Sequence, residues 1–251
     1  MSLHRTIREG FRDAEQYERG RPGYPDGAVE WLSAALRLGP GVRALELGAG
    51  TGKLSFRLAS RLGTLFALEP LPEMRRVLSA RAPEVRVVAG LAEALPLRAS
   101  SVRAVACAQS FHWFASAEAL SEIHRVLEPG GRLGLVWSQR DESVAWVREL
   151  GEVLSPIEGS APRFRSGRWR EVFTGQSLFG PLAEAEFAFA QVGPPEAVVD
   201  RIRTTSLVAA LPEGRRREVL EAVRALARRA AGPAGALSLP YRTRAFFCER
   251  R

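Results

Sequence analysis

The chain has 251 residues, 46% of them hydrophobic and 25% charged, with a formal charge of +8. That length and mix bound it to one large globular domain, or a domain with a smaller insertion, able to bury a substantial core. No apolar run is long enough to span a bilayer, and Met1 to Arg5 has no secretory apolar stretch, so the expected compartment is the cytoplasm. Cys107 and Cys248 sit in apolar runs as buried thiols, and His4, His112 and His124 have no cysteine at zinc spacing, so neither a disulfide framework nor a metal site is expected.

Residues 1–26 are polar with aromatics set among them: Phe11, Tyr17 and Tyr24. The run Y-E-R-G-R-P-G-Y-P, 17–25, has the glycine and proline content of a loop and reads as a structured flap. Asp26 then suits the N-cap of a helix over 27–37, with Val29, Leu32 and Leu36 on one face. Gly39-Pro40-Gly41 closes that helix.

Residues 42–54 read V-R-A-L-E-L-G-A-G-T-G-K-L, a strand, a tight glycine loop and a helix start. Gly48, Gly50 and Gly52 suit a sharp turn or a close ligand. The spacing matches neither G-x-G-x-x-G nor a P-loop, because Lys53 is followed by Leu54 and not Ser or Thr. Glu46 within the strand suits a positively charged ligand better than a phosphate. Leu54, Leu58 and Leu62 make a helix stripe that stops at Gly63.

A second strand, 64–68, ends in Glu69, about twenty residues beyond the loop, where a carboxylate accepts ribose hydroxyls in nucleoside-binding α/β folds. Pro72 opens a helix over 73–80, and 85–89 is a third strand. After G-L-A-E-A-L-P-L, 90–97, a fourth strand over 102–108 runs into Q-S-F-H-W-F, 109–114. His112 therefore stands beyond the carboxyl end of a strand, where open parallel sheets bind ligands. A packed or capping histidine is the competing reading there, and Trp113 reads as a pocket wall. A helix over 117–127, an E-P-G-G turn at 128–131 and a strand over 132–137 complete the β-α alternation, which predicts a doubly wound parallel sheet.

From 138 to 181 the alternation breaks down, apart from a helix over 144–154. A-E-A-E-F-A-F-A, 183–190, alternates as an amphipathic strand with Phe187 and Phe189 on one face. Helices follow from Pro194 or Pro195 to 207 and over 211–230, then a strand over 242–248. The positive charge raises nucleic acid as a partner. Arginines are spread along the chain, however, and Lys53 is the only lysine. The densest run, 215–229, interleaves Leu220, Val223 and Leu226 at helical spacing and reads as the solvated face of an amphipathic helix.

E-L-G-A-G-T-G, F-H-W-F, R-V-L-E-P-G-G-R-L and the flap run together resemble the class I S-adenosylmethionine-dependent methyltransferases. The resemblance covers most of the chain and is closest to the small-molecule subgroup that includes trans-aconitate-methyltransferase-like proteins. It implies a Rossmann-like α/β fold with a seven-stranded sheet, mostly parallel, with one antiparallel strand at the C-terminal hairpin. The organisation expected is flap and helix at 1–41, cofactor-binding core at 42–137, substrate-side insertion at 138–181, and the rest of the sheet at 182–251. The implied cofactor is S-adenosylmethionine. Glu46 and the loop Gly48-Ala49-Gly50, with Gly52, would hold its methionine end. Glu69 would bind the ribose with Pro70 beside it, Ala92 and Glu93 would flank the adenine, and Gln109 would lie near the sulfonium. Tyr17, Arg21 and Tyr24 would fold over the cofactor, with Arg21 for its carboxylate. Two positions depart from the family's pattern: Leu91 where an acidic residue often follows the glycine, and Arg103 where Asp is common.

Methyl transfer mainly needs alignment in a dry pocket. His112 would serve as general base for a hydroxyl or C–H acceptor, whereas a carboxylate acceptor needs none. Arg140, Arg163, Arg165, Arg168 and Trp169 would give the insertion a basic, aromatic lid suited to an acidic or planar small-molecule substrate. Two alternatives stay open. A nucleic-acid (RNA) methyltransferase is one, although [DN]-P-P-[YF] is absent after the fourth strand and Cys107 has no neighbouring proline. A non-catalytic S-adenosylmethionine-binding protein is the other.

Overall fold

The computed structural model describes residues 14–157, 162–233 and 235–251. His4, Phe11 and the start of the 1–41 flap lie outside the described residues, as do 158–161 of the insertion. The strands are β1 (Arg43–Leu47), β2 (Thr64–Leu68), β3 (Arg86–Val88), β4 (Val102–Ala108), β5 (Leu127–Arg140), β6 (Ala183–Gly193) and β7 (Leu237–Glu249). They form one seven-stranded sheet in the order β3-β2-β1-β4-β5-β7-β6. Pairing from β3 through β5 is parallel. The sheet is mixed, with antiparallel pairing at its C-terminal strands.

The helices are α1 (Ala14–Gly20), α2 (Asp26–Ala35), α3 (Ser55–Ala59), α4 (Pro72–Arg81), α5 (Ala117–Val126), α6 (Ala145–Leu154), α7 (Pro195–Arg203), α8 (Ser206–Ala209) and α9 (Glu213–Ala230). No helix among the described residues is long and apolar enough to cross a membrane. The chain divides into two compact units. The larger takes 23–138, 162–187 and 243–251; the smaller takes 1–22, 139–161 and 188–242.

In the larger unit the parallel strands are buried on both faces, so they read as apolar runs without alternation. One face packs Leu45, Leu47, Val105, Cys107, Ile123, Leu135 and Trp137. The other packs Ala44, Ala67, Ala104 and Ala106 against Val29, Leu32, Leu54 and Leu78. Both cysteines are buried free thiols, and burial pushes Cys248 up to about 12.

The smaller unit has its own core, in which Val147 and Leu150 of α6, Val199 and Ile202 of α7, Val223 of α9 and Tyr241 of β7 meet. Two arginines of α9 are held by carboxylates of other helices: Arg224 pairs with Glu196 at 3.0 Å and Arg229 with Glu149 at 3.1 Å.

Four expectations are corrected. Tyr17 lies within α1, because A-E-Q-Y-E-R are ordinary helix formers and the glycine-proline punctuation starts only at Gly20. E-P-G-G is no separating turn: β5 runs continuously through it, and the register with β4 jumps from Val102↔Leu127 to Ala104↔Arg132. The extra residues are taken up as a bulge, with Gly130 at φ 67°. The C-terminal strand starts at Leu237, five residues before the expected 242. Trp169 is no lid residue; at 2% exposure it sits in the core, 4.6 Å from the ring of Trp137 and 5.2 Å from Phe246.

Candidate active site

In the sheet order β1 lies between β2 and β4, so the chain runs outward to β3 and then returns to the other side of β1. The carboxyl ends of β1 and β4 therefore flank a topological switch point, where open α/β sheets bind ligands. The loop after β1 is held on both sides. Gly48 N–H donates to Leu68 O at 2.8 Å, and the Ser110 hydroxyl donates to Leu47 O at 2.6 Å.

Two glycines of this loop do different work. Gly48 has φ 64°, and a Cβ there would fall 2.6 Å from Ser110 Cβ, so β4's end closes down on it. Gly50 has φ 58°, but a Cβ there would meet nothing within 4 Å among the described residues. That leaves its side clear of them, as a close ligand requires. Ala49 is buried, and a Cβ on Gly52 would fall 2.9 Å from Leu78 Cγ, which ties the loop's far end to α4.

Glu46 stands opposite Ala67 of β2 and Ala106 of β4, whose small side chains leave room for its carboxyl group. It is 1% exposed and accepts the Ser55 hydroxyl at 2.5 Å. No cation pairs with it among the described residues, and burial pushes its pKa up to about 8. Ser55 comes from the first turn of α3, directly after the loop.

Glu69 uses both oxygens: Oε2 accepts Gly50 N–H and Oε1 accepts Leu71 N–H, each at 2.9 Å. Burial raises its pKa while those two bonds and Arg75 lower it, and the net direction is upward. Arg75 donates to the carbonyls of Glu69 and Pro70 at 2.8 Å each, fixing the turn. Farther along, Ala92 is buried and Glu93 half-buried. The segment they belong to is pinned by α5: Glu122 accepts Leu95 N–H at 2.8 Å, and Arg125 donates to Leu97 O at 2.8 Å.

Gln109, directly after β4, has φ 57°, and its amide donates to Ser138 O at 2.9 Å. His112 is in a short 3-10 turn, Phe111–Trp113. Trp137 at the end of β5 donates its indole N–H to His112 Nδ1 at 3.0 Å. Indole N–H can only donate, so Nδ1 acts as the acceptor and the neutral ring carries its proton on Nε2. Phe111 is fully buried, with Phe114 5.6 Å and Phe173 5.7 Å away.

The structure thus gathers Glu46, Gly48, Ala49, Gly50, Gly52, Glu69 and Pro70 around one loop, with Gln109 following the neighbouring strand. Tyr24 also belongs to the larger unit, where its carbonyl accepts Arg57 at 3.2 Å. Tyr17 and Arg21 belong to the smaller unit; there Arg21 stacks over the Tyr17 ring at 4.9 Å and donates to Thr204 O at 3.3 Å. Sequence reasoning missed Ser55, Ser110 and Trp137. Ser55 had a local signal, a polar residue one turn beyond the glycine loop; Trp137 had none, since only the β4–β5 pairing brings it to His112.

Residues 45–135 match the family model described as "Methyltransferase domain". An uncharacterized methyltransferase of Mycobacterium tuberculosis is 41% identical over 230 residues, which are 90% of this chain and 89% of that protein. A solved structure assigned as a type II methyltransferase of Anaeromyxobacter dehalogenans has a TM-score of 0.67 at 26% identity, covering 92% of this chain and 96% of that one. A geranyl diphosphate C-methyltransferase of Streptomyces coelicolor, solved with S-adenosyl-L-homocysteine, shares the fold at a TM-score of 0.52 and 15% identity, covering 90% of this chain and 78% of that one. The switch-point loop, the strand order and these likenesses agree: the chain belongs to the S-adenosylmethionine-dependent methyltransferases.

Proposed function

We propose that the methyl acceptor is a small molecule whose nucleophilic atom needs no deprotonation by the protein, and that the loop residues hold the cofactor as follows. Glu46 and the loop 48–50 take the methionine end, Glu69 and Pro70 the ribose, Ala92 and Glu93 the adenine, and Gln109 lies near the sulfonium. The residues fit that cofactor on two observations made among the described residues: a Cβ on Gly50 would meet nothing within 4 Å, and Glu46 is a buried carboxyl group with no cation beside it. S-adenosylmethionine, when bound, supplies an electrophilic methyl group on a sulfonium with a neutral thioether as leaving group. The protein's own task is then to orient the acceptor and keep water out.

The observation that carries the acceptor reading is the Trp137–His112 hydrogen bond. A general base must offer a lone pair, and Nδ1 already uses its own to accept the Trp137 N–H. On this reading His112 is a fixed polar wall beside the aromatics and not the general base. Arginine–carboxylate pairs along α9 support a small molecule over nucleic acid, because Arg215, Arg224, Arg228 and Arg229 are each held by a carboxylate. Tyr17 and Arg21 remain proposed contributors to the cover of the cofactor.

The test is methyl transfer from labelled S-adenosylmethionine to a panel of small carboxylic acids and amines, with transfer RNA alongside. Turnover on a small molecule, little changed by salt, is expected. Turnover confined to RNA and falling steeply with salt would overturn the reading.

A further inference from the structure

Between β3 and β4 the chain forms no helix and no ladder among the described residues, only an isolated antiparallel bridge between Leu91 and Ala94. Ala94 N–H donates to Leu91 O at 3.2 Å, so Ala92 and Glu93 stand at the tip of a tight turn. The turn starts beside the carboxylate that closes the glycine loop. Glu69 N–H donates to Val88 O at 3.0 Å, and a Cβ on Gly90 would fall 2.7 Å from Leu68 Cδ1. The same Cβ would lie 3.5 Å from Pro96 Cδ, so the segment doubles back over Gly90. Ala92 and Leu95 are buried in one cluster with Leu47 and Leu68, the last residues of β1 and β2.

A segment without a ladder must find partners for its backbone elsewhere. Two side chains of α5 supply them. Leu95 N–H donates to Glu122 Oε2 at 2.8 Å, Leu95 O accepts Arg125 Nη2 at 3.0 Å, and Leu97 O accepts Arg125 Nη1 at 2.8 Å. The two side chains are forked onto each other, Nε to Oε1 at 2.6 Å and Nη2 to Oε2 at 2.8 Å. The Arg125 hydrogen bonds hold Glu122 below the usual carboxylate range, so the pair stays ionised at neutral pH. A pair three residues apart on a helix adds little stability by itself. What this pair fixes is the path of the chain: Ser100 and Ser101 N–H donate to the carbonyls of Arg125 and Val126, each at 2.8 Å, so the segment is tied to β2 at one end and to α5 from Leu95 onward.

We infer that Glu122 and Arg125 are positioning residues for the cofactor's base: by fixing 95–97 they set where the turn at Ala92 and Glu93 meets the 6-amino edge of the adenine. The inference rests on the reading above that this turn flanks the adenine. Leu91 is apolar, so polar recognition of the base falls to Glu93 and to backbone groups at the tip, and their position follows from the pair on α5. Both side chains act through the backbone of the segment and not by touching the cofactor.

The experiment is calorimetric titration of the wild type, Arg125→Met, Arg125→Lys and Glu122→Gln with S-adenosylhomocysteine and with its inosine counterpart, which carries oxygen in place of the 6-amino group. The wild type should prefer the adenine compound by about tenfold or more, and Arg125→Met should lose most of that preference along with affinity for the adenine compound. Lysine keeps the charge but cannot span both carbonyls, so Arg125→Lys should fall between the two. A purely structural pair would lower the unfolding midpoint and leave the preference intact, and that result in Arg125→Met would overturn the inference. So would a wild type that binds both compounds equally. If Arg125→Met does not fold, the decision falls to Arg125→Lys and Glu122→Gln, and an unchanged preference in both would overturn it. Photolabelling of the wild type with the 2-azidoadenine analogue of S-adenosylhomocysteine separates this inference from the reading beneath it. Label on 90–97 with an unchanged preference in the variants would defeat the positioning role alone. Label confined to another segment would defeat the adenine assignment and the inference with it.

Discussion

Trp137 donates its indole N–H to Nδ1 of His112 at 3.0 Å, joining the carboxyl end of β5 to the turn after β4. Trp137 is fully buried, so this N–H has no water to fall back on. The bond favours the tautomer protonated on Nε2. Nitrogen-15 spectra at neutral pH should show Nδ1 unprotonated and Nε2 protonated, and Trp137→Phe should mix the two tautomers. A protonated Nδ1 in the wild type would contradict this. His112→Ala should lower turnover by less than about tenfold, against the roughly 10²–10⁴-fold loss expected when a general base is removed.

Glu69 clamps two backbone N–H groups, those of Gly50 and Leu71, one on each oxygen. A glutamine offers one acceptor oxygen and turns an NH2 group toward the other N–H. Glu69→Gln and Glu69→Ala should both weaken S-adenosylhomocysteine binding by about tenfold or more, since each leaves a buried donor unpaired, at about 1–3 kcal/mol. Calorimetric titration checks it. Glu69→Ala binding as tightly as wild type would remove Glu69 from the ribose role.

Glu46 makes the ligand-free protein's stability depend on pH. Burial raises its folded-state pKa from 4.5 to about 8, so between these values the folded state binds the proton that the unfolded state has released. This group's contribution is therefore most favourable below about pH 4.5, and it is lost as pH rises toward 8. The loss is on the order of a few kcal/mol. Urea unfolding from pH 5 to 8 should show the decline in the wild type and a flatter profile in Glu46→Gln. Parallel profiles would mean that Glu46 does not hold its proton.

Gly48 and Gly50 share a left-handed backbone but differ in what surrounds them. Gly48→Ala drives a methyl group into Ser110 and should lower the unfolding midpoint by several degrees. Gly50→Ala costs only the strained φ, about 1 kcal/mol, and should fold with a midpoint within about 2–4 °C of wild type. It should nevertheless lose S-adenosylhomocysteine affinity, because the new methyl group occupies the ligand's side of the loop. Unchanged affinity in Gly50→Ala would place the cofactor elsewhere.

Much of the larger unit was legible because its signals are local. β2 and β4 start and stop where their apolar runs do, and the three glycines with Glu46 and Glu69 identify the loop and its carboxylate partner. α9 followed from the spacing of Leu220, Val223 and Leu226. What escaped depends on contacts between distant segments. Trp169 looked like part of an arginine-rich lid, but packing against Trp137 and Phe246 makes it core. E-P-G-G has the composition of a turn, yet β4 and Arg250 capture it: Gly131 O accepts Arg250 N–H at 2.8 Å.

The most direct test of the central claim is titration of the wild-type protein with S-adenosylhomocysteine, with Gly50→Ala and Glu69→Ala alongside. One site per chain in the wild type, weakened at least about tenfold in each variant while both remain folded, is the predicted result. No binding to the wild type, or equal binding by all three proteins, would contradict a cofactor site at the loop between β1 and α3.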